Sequence, residues 1–148
     1  MSGENEIIDR FFRLKKMISL IYRSIPTLEY DISLSDVVVF LRIEKEEEMT
    51  LGKLSELTGF SNTLITFTID SLEKKGLVTR SRGKDRRIVL VTLTERGKDI
   101  SALLRREIVQ KFNALFSKLS REEMENMLSS LDEMLRILPK IVKPELVQ

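Results

Sequence analysis

The side chains with most to offer chemically lie between residues 61 and 87. Ser61, Asn62, Thr63, Thr66 and Phe67 bring together small hydroxyls, an amide and a ring, and Arg82, Lys84, Arg86 and Arg87 crowd around Asp85. Hydroxyls and amides bond to base edges and phosphates, and clustered cations neutralise a polyanion. The machinery of catalysis is thin by comparison. With no histidine and no cysteine, the chain lacks the commonest general base and transition-metal ligand, and it can form no disulfide, thiolate metal site or thiol redox sensor. An enzyme would need carboxylates or lysines in a cleft. The acidic runs, Glu46-Glu47-Glu48 and Glu122-Glu123, fall at helix ends and off the apolar faces, where metal binding would be weak and incidental. No enzymatic activity, cofactor or metal is expected.

The formal net charge of +2 hides a strong asymmetry. Residues 1–73 carry 8 Lys/Arg against 13 Asp/Glu, residues 74–106 carry 11 against 3, and residues 107–148 carry 6 against 7. Phosphate attraction acts over about a Debye length, ~8 Å at physiological salt, so the local excess matters more than the total. At 148 residues and 42% apolar content, the chain suits one ordinary domain or a small module with helical extensions. No segment approaches an apolar membrane span, and the polar, acidic N-terminus does not read as a secretory signal, so a cytoplasmic location is expected.

The elements that must position these residues are legible from periodicity and punctuation. Thr50 caps a helix from Leu51 to Thr58 that Gly59 stops, and Ser61 caps another running to Lys75, closed by Gly76. Two short helices so closely spaced must cross, which is the helix-turn-helix arrangement. Leu51, Leu54 and Leu57 form the inward stripe of the first, and Ile65, Ile69 and Leu72 that of the second. The opposite face of the second shows Asn62, Thr63, Thr66, Phe67 and Asp70. There Phe67 either meets a thymine methyl or packs inside. Beyond Gly76 the period becomes that of strands, 77–81 and 87–93, with Arg82-Gly83-Lys84-Asp85-Arg86 as hairpin tip and Val89, Val91 and Leu93 on one face. A helix-turn-helix followed by a basic hairpin is a winged helix, whose usual ligand is duplex DNA.

Helical spacing of Ile7, Phe11, Leu14, Ile18, Ile21, Tyr22 and Ile25 predicts a first helix over 5–25, stopped by Pro26, with Ile8 and Phe12 widening its apolar face. Ser33 and Asp36 resemble a capping box opening a second helix, with Leu34, Val37, Val38 and Leu41 inward and an acidic end, Glu44 to Glu48. That end reads best as solvated, with repulsion of non-target phosphates as the other explanation. Thr94 caps a long helix to about Leu119, and Ser120 with Glu123 forms a capping box for a last helix that Pro139 ends or kinks, before a tail marked by Pro144. The expected fold is mostly α with a small antiparallel β-hairpin: a helix and linker over 1–32, a winged helix-turn-helix over 33–93, and two helices over 94–148. The apolar faces of the first and last two helices exceed what the small winged helix can cover. A second copy about a two-fold axis would cover them, and a closed monomeric bundle is the competing arrangement.

In element order the chain resembles the MarR (multiple antibiotic resistance regulator) transcription factors. The resemblance is sharpest in Leu72-Glu73-Lys74-Lys75-Gly76-Leu77-Val78-Thr79-Arg80, in Asp85-Arg86-Arg87, and in Val91-Thr92-Leu93-Thr94-Glu95-Arg96-Gly97. It implies a homodimer with interlocked terminal helices and two winged helices on one side, each recognition helix in a major groove and each wing in an adjacent minor groove. Arg87 would be the minor-groove arginine and Asp85 the carboxylate that orients it bidentately. Arg82, Lys84 and Arg86 would neutralise phosphates or follow the groove, and a narrow A·T-rich groove would favour such an arginine. Many relatives carry a basic residue where this chain has Phe67, so base contact here would lean on Asn62, Thr63, Thr66 and Phe67. Relatives often respond to small aromatic or phenolic effectors, which nothing in this chain identifies, and without cysteine a thiol-oxidation switch is unavailable. The leading expectation is therefore a homodimeric regulator that reads palindromic half-sites about one turn apart, ~34–36 Å. The alternative is a winged helix serving as a protein-interaction module.

Overall fold

The computed structural model describes residues 2–25, 31–46 and 48–143. Helix α1 (Ser2–Ser24) is followed by α2 (Leu34–Glu46), strand β1 (Glu48–Thr50), α3 (Leu51–Thr58), α4 (Asn62–Lys74), strands β2 (Val78–Arg82) and β3 (Val89–Leu93), α5 (Glu95–Phe116) and α6 (Arg121–Ile137), with a 3-10 turn at Leu138–Lys140. The expected Pro26 stop and the Pro144 tail lie outside the described residues. Helix α1 begins three residues before the expected start at residue 5, and α5 ends three residues short of Leu119. Helix ends are weakly specified by side-chain pattern.

Each expected cap is made. Thr50 Oγ1 accepts from Lys53 N at 3.1 Å, Ser61 Oγ from Leu64 N at 3.1 Å, and Thr94 Oγ1 from Gly97 N at 3.0 Å. Both capping boxes are reciprocal. Asp36 N donates to Ser33 Oγ at 3.1 Å and Ser33 N to Asp36 Oδ2 at 3.4 Å; Glu123 N donates to Ser120 Oγ at 3.1 Å and Ser120 N to Glu123 Oε2 at 2.8 Å. Gly76, at φ +72°, ends α4 in a Schellman motif: Gly76 N donates to Glu73 O at 2.9 Å and Leu77 N to Leu72 O at 3.0 Å. Leu72 and Leu77, the two positions whose apolar side chains commonly accompany the motif, are both buried in the core.

The sheet has three antiparallel strands in the order β1-β3-β2, where the sequence predicts only the hairpin. Met49 pairs with Val91 on one side of β3, and Arg80 pairs with Val91 on the other. Three residues are too few to show alternation, which is why Glu48 reads as the end of one helix and Thr50 as the cap of the next. Its addition matters, because an isolated two-stranded hairpin is marginal in water.

The core gathers Val37, Val39, Phe40 and Ile43 of α2, Leu54 of α3, Ile65, Ile69 and Leu72 of α4, Leu77, Val78 and Val91 around the sheet, and Leu104 of α5. Leu34, Val38 and Leu41, expected inward, are only half-buried. Helix α2 is packed by α3, α4, α5 and β3 together, so its buried arc is wider than a single stripe and takes in Val39, Phe40 and Ile43. Helices α1 and α6 differ sharply from this pattern. No described side chain of either is buried.

Candidate nucleic-acid interface

Helix α4 turns Ile65, Thr68, Ile69 and Leu72 into the core. That fixes the opposite face by geometry: Asn62, Thr63, Thr66 and Phe67 are all exposed, as is the cap residue Ser61. Phe67 is 71% exposed, so of the two readings of this ring the packed one is overturned. Ser61 spends its hydroxyl on the cap, and Thr66 Oγ1 donates to Asn62 O at 3.0 Å.

The wing is the β2–β3 hairpin. Its strands end at Arg82 and resume at Val89, so Arg87 and Ile88, expected within the second strand, belong to the turn. The cause is Asp85. Its Oδ1 accepts the Arg87 backbone N–H at 3.1 Å, which takes that donor from the ladder, and Ile88 N donates to Asp85 O at 2.9 Å. Gly83 N donates to Ile88 O at 3.0 Å and closes the tip.

The Asp85 carboxylate also grips the Arg87 guanidinium with two further bonds, from Nε to Oδ1 at 3.1 Å and from Nη2 to Oδ2 at 2.9 Å. These bonds hold Asp85 below the usual carboxylate range and push the Arg87 guanidinium up. The Arg87 side chain is nevertheless 90% exposed: it is aligned by its partner and open to a ligand. Arg82 Nη1 donates to Arg86 O at 3.1 Å, so one cation braces the turn that carries the others. Lys84 and Arg86 are exposed at the tip.

One participant is hard to see in sequence. Arg80 of β2 donates from Nη2 to Asp70 Oδ1 at 2.6 Å and from Nη1 to Glu73 Oε1 at 2.9 Å, and its backbone N–H reaches Glu73 Oε2 at 3.3 Å. Partial burial, which lowers its pKa, is outweighed by the bond to Asp70 and the charge of Glu73, so the guanidinium is pushed up. Arg80 thereby ties the wing to α4. The available signal was a pair of carboxylates at i, i+3 on the helix and an arginine beyond its glycine stop.

A helix-turn-helix followed by a three-stranded sheet whose β2–β3 hairpin forms the wing, flanked by long helices, defines a winged helix of the MarR type, a class of transcription factor. Residues 22–104 match the family described as Transcriptional regulator SarA/Rot, and the chain belongs to that family. The HTH-type transcriptional regulator SarZ of Staphylococcus aureus is 33% identical over 104 residues, 70% of this chain and 69% of SarZ. Among solved structures, a cysteine-to-serine mutant of MarR from E. coli, complexed with operator DNA, superposes with a TM-score of 0.73 at 27% identity, covering 88% of this chain and 96% of that one. The transcriptional regulator BldR from Sulfolobus solfataricus gives 0.67 at 28% identity, covering 87% and 96%. Among the described residues no helix is long and apolar enough to cross a membrane, and no acidic cluster is arranged to hold a metal ion.

Proposed function

We propose that this transcription regulator acts as a homodimer on palindromic duplex DNA, each α4 entering a major groove and each wing an adjacent minor groove. The observation that carries the reading is the Asp85–Arg87 pair, an exposed guanidinium held in one orientation at the tip of a cationic hairpin. A narrow minor groove, rich in negative potential, is the complementary surface. Arg82, Lys84 and Arg86 supply phosphate neutralisation around it, and Ser61, Asn62, Thr63, Thr66 and Phe67 supply the helix surface. The likeness to a MarR solved with operator DNA supports the same reading.

The dimer rests on uncovered apolar surface. Ile7, Ile8, Phe11, Phe12, Ile18 and Tyr22 of α1 are exposed, as are Leu103 and Val109 of α5 and Leu128, Leu131 and Leu135 of α6. Three helices with apolar faces open to water call for a partner, and a second copy is the one always present. The chain segments 1–32 and 94–148 then form the dimer, and 33–93 bind the duplex.

Mobility-shift titrations of duplexes selected from a random pool test both parts. Arg87→Ala should weaken binding at least about tenfold while sedimentation still reports a dimer. Lys84→Ala should weaken specific and random duplexes alike and make the salt slope shallower by about 1. Unchanged binding in Arg87→Ala would remove the wing assignment. A protein-interaction module would show little salt-dependent affinity for any duplex.

A further inference from the structure

Between Asn62 and Glu73, α4 contains no lysine or arginine. Guanine is read in the major groove chiefly by Arg or Lys bidentate to O6 and N7, so this helix face lacks the usual means of recognising it. What it carries is a ring. Thr63, Thr66, Phe67 and Asp70 stand at i, i+3, i+4 and i+7 on the face opposite the buried Ile65, Ile69 and Leu72, and Phe67 is 71% exposed there.

Two of its polar neighbours are already engaged within the protein. Thr66 Oγ1 donates to Asn62 O at 3.0 Å. Asp70 Oδ1 accepts from Arg80 Nη2 at 2.6 Å, and the clamp is doubled through Glu73. An Asp carboxylate on this face would otherwise accept from cytosine N4 and repel nearby phosphates. Its pairing with Arg80 withdraws it from the first and offsets the second. Phe67 is left as the large side chain of this face with no polar function, and the apolar feature of the major-groove edge is the C5 methyl of thymine.

We propose that Phe67 is a specificity-determining residue that selects a thymine in each half-site through its C5 methyl. The inference rests on the reading of α4 as the major-groove helix. To that reading, in which Phe67 is one of five residues of the helix surface, it adds the base and the atom that this side chain selects.

The test uses the full chain and a duplex enriched from a random pool at low salt. Each thymine pair, one per half-site, is replaced in turn by deoxyuridine, which deletes the methyl and leaves the hydrogen-bonding edge unchanged. One position should lose about fourfold in affinity per half-site, the equivalent of one buried methyl group. In Phe67→Ala, whose exposed site leaves the core untouched, the deoxyuridine loss at that position should vanish. A duplex with no sensitive thymine, or a sensitivity that survives in Phe67→Ala, overturns the assignment while DNA binding stands. Failure to enrich any duplex overturns the DNA-binding reading itself, and the assignment with it.

Discussion

The backbone of α5 at Gly97 lies so close to Leu77 that a Cβ there would stand 2.1 Å from the Leu77 carbonyl oxygen. This contact locks the first turn of α5 onto the turn that ends α4. Thr94 completes the lock. Its backbone N–H donates to Leu77 O at 3.1 Å, and its Oγ1 donates to Gly76 O at 2.6 Å while accepting from Gly97 N at 3.0 Å. The start of α5 is thus tied directly to the end of the candidate recognition helix, through backbone atoms and the Thr94 hydroxyl. Helix propensity alone says that Gly97→Ala should stabilise the protein by up to about 1 kcal/mol. The overlap with a backbone oxygen cannot be relieved by a rotamer, and overpacking of this kind costs about 2–3 kcal/mol. The expected outcome is a lower denaturation midpoint in urea, and a raised one would show that the contact is looser than described.

The wing pair carries a pH signature. Bonds from Arg87 lower the folded-state pKa of Asp85, so its ionised form is favoured by folding. Its contribution to stability is fully present above the ordinary aspartate pKa and is lost as pH falls through the lowered folded value. The carboxyl carbon of Asp85, followed by NMR, should titrate below the ordinary aspartate range. In Arg87→Ala the midpoint should return toward that range. An unshifted Asp85 in the parent protein would mean that the pair does not persist in solution.

Arg80 couples two surfaces, and a double-mutant cycle measures the coupling. Its side chain is 25% exposed, whereas those of Asp70 and Glu73 are 52% and 42% exposed, so solvent screening discounts the attraction. Arg80→Met preserves the aliphatic stem, and Asp70→Asn removes one charge. Chemical denaturation of the single and double variants should yield a coupling of about 1 kcal/mol. Additive effects would show that the clamp holds nothing.

Thr68 offers the opposite case. It is buried in α4, and its hydroxyl has no hydrogen-bond partner among the described residues. A Thr in a helix commonly donates to the carbonyl four residues back, and this one does not. An unsatisfied buried hydroxyl costs about 1–3 kcal/mol, and Val has nearly the same shape. Thr68→Val should therefore raise the thermal midpoint. A lower midpoint would reveal a partner for the hydroxyl in solution.

The caps at Thr50, Ser61, Thr94 and Ser120 were legible because each is a local bargain between one side chain and a backbone N–H three residues on. The inward stripe Ile65, Ile69 and Leu72 was equally plain, since a helix packed on one side repeats its apolar positions. By the same logic the exposed face of α4 could be read as the complement of that stripe. Helix α2 broke the rule because several elements cover it, and Val39, Phe40 and Ile43 carry no mark that distinguishes burial on one side from burial on many. Strand β1 was hidden for a related reason. Glu48-Met49-Thr50 becomes a strand only because β3 lies beside it.

By itself, then, the amino-acid sequence determined the helices, the caps that open them, the hairpin and the concentration of positive charge in the wing, all of which follow from interactions spanning a few residues. The tertiary structure alone decided that Arg80 reaches back across ten residues to Asp70, that Arg87 leaves the strand to face Asp85, and that Phe67 stays in water. Those outcomes depend on distances between segments fixed only once the core has closed, and no local pattern encodes them.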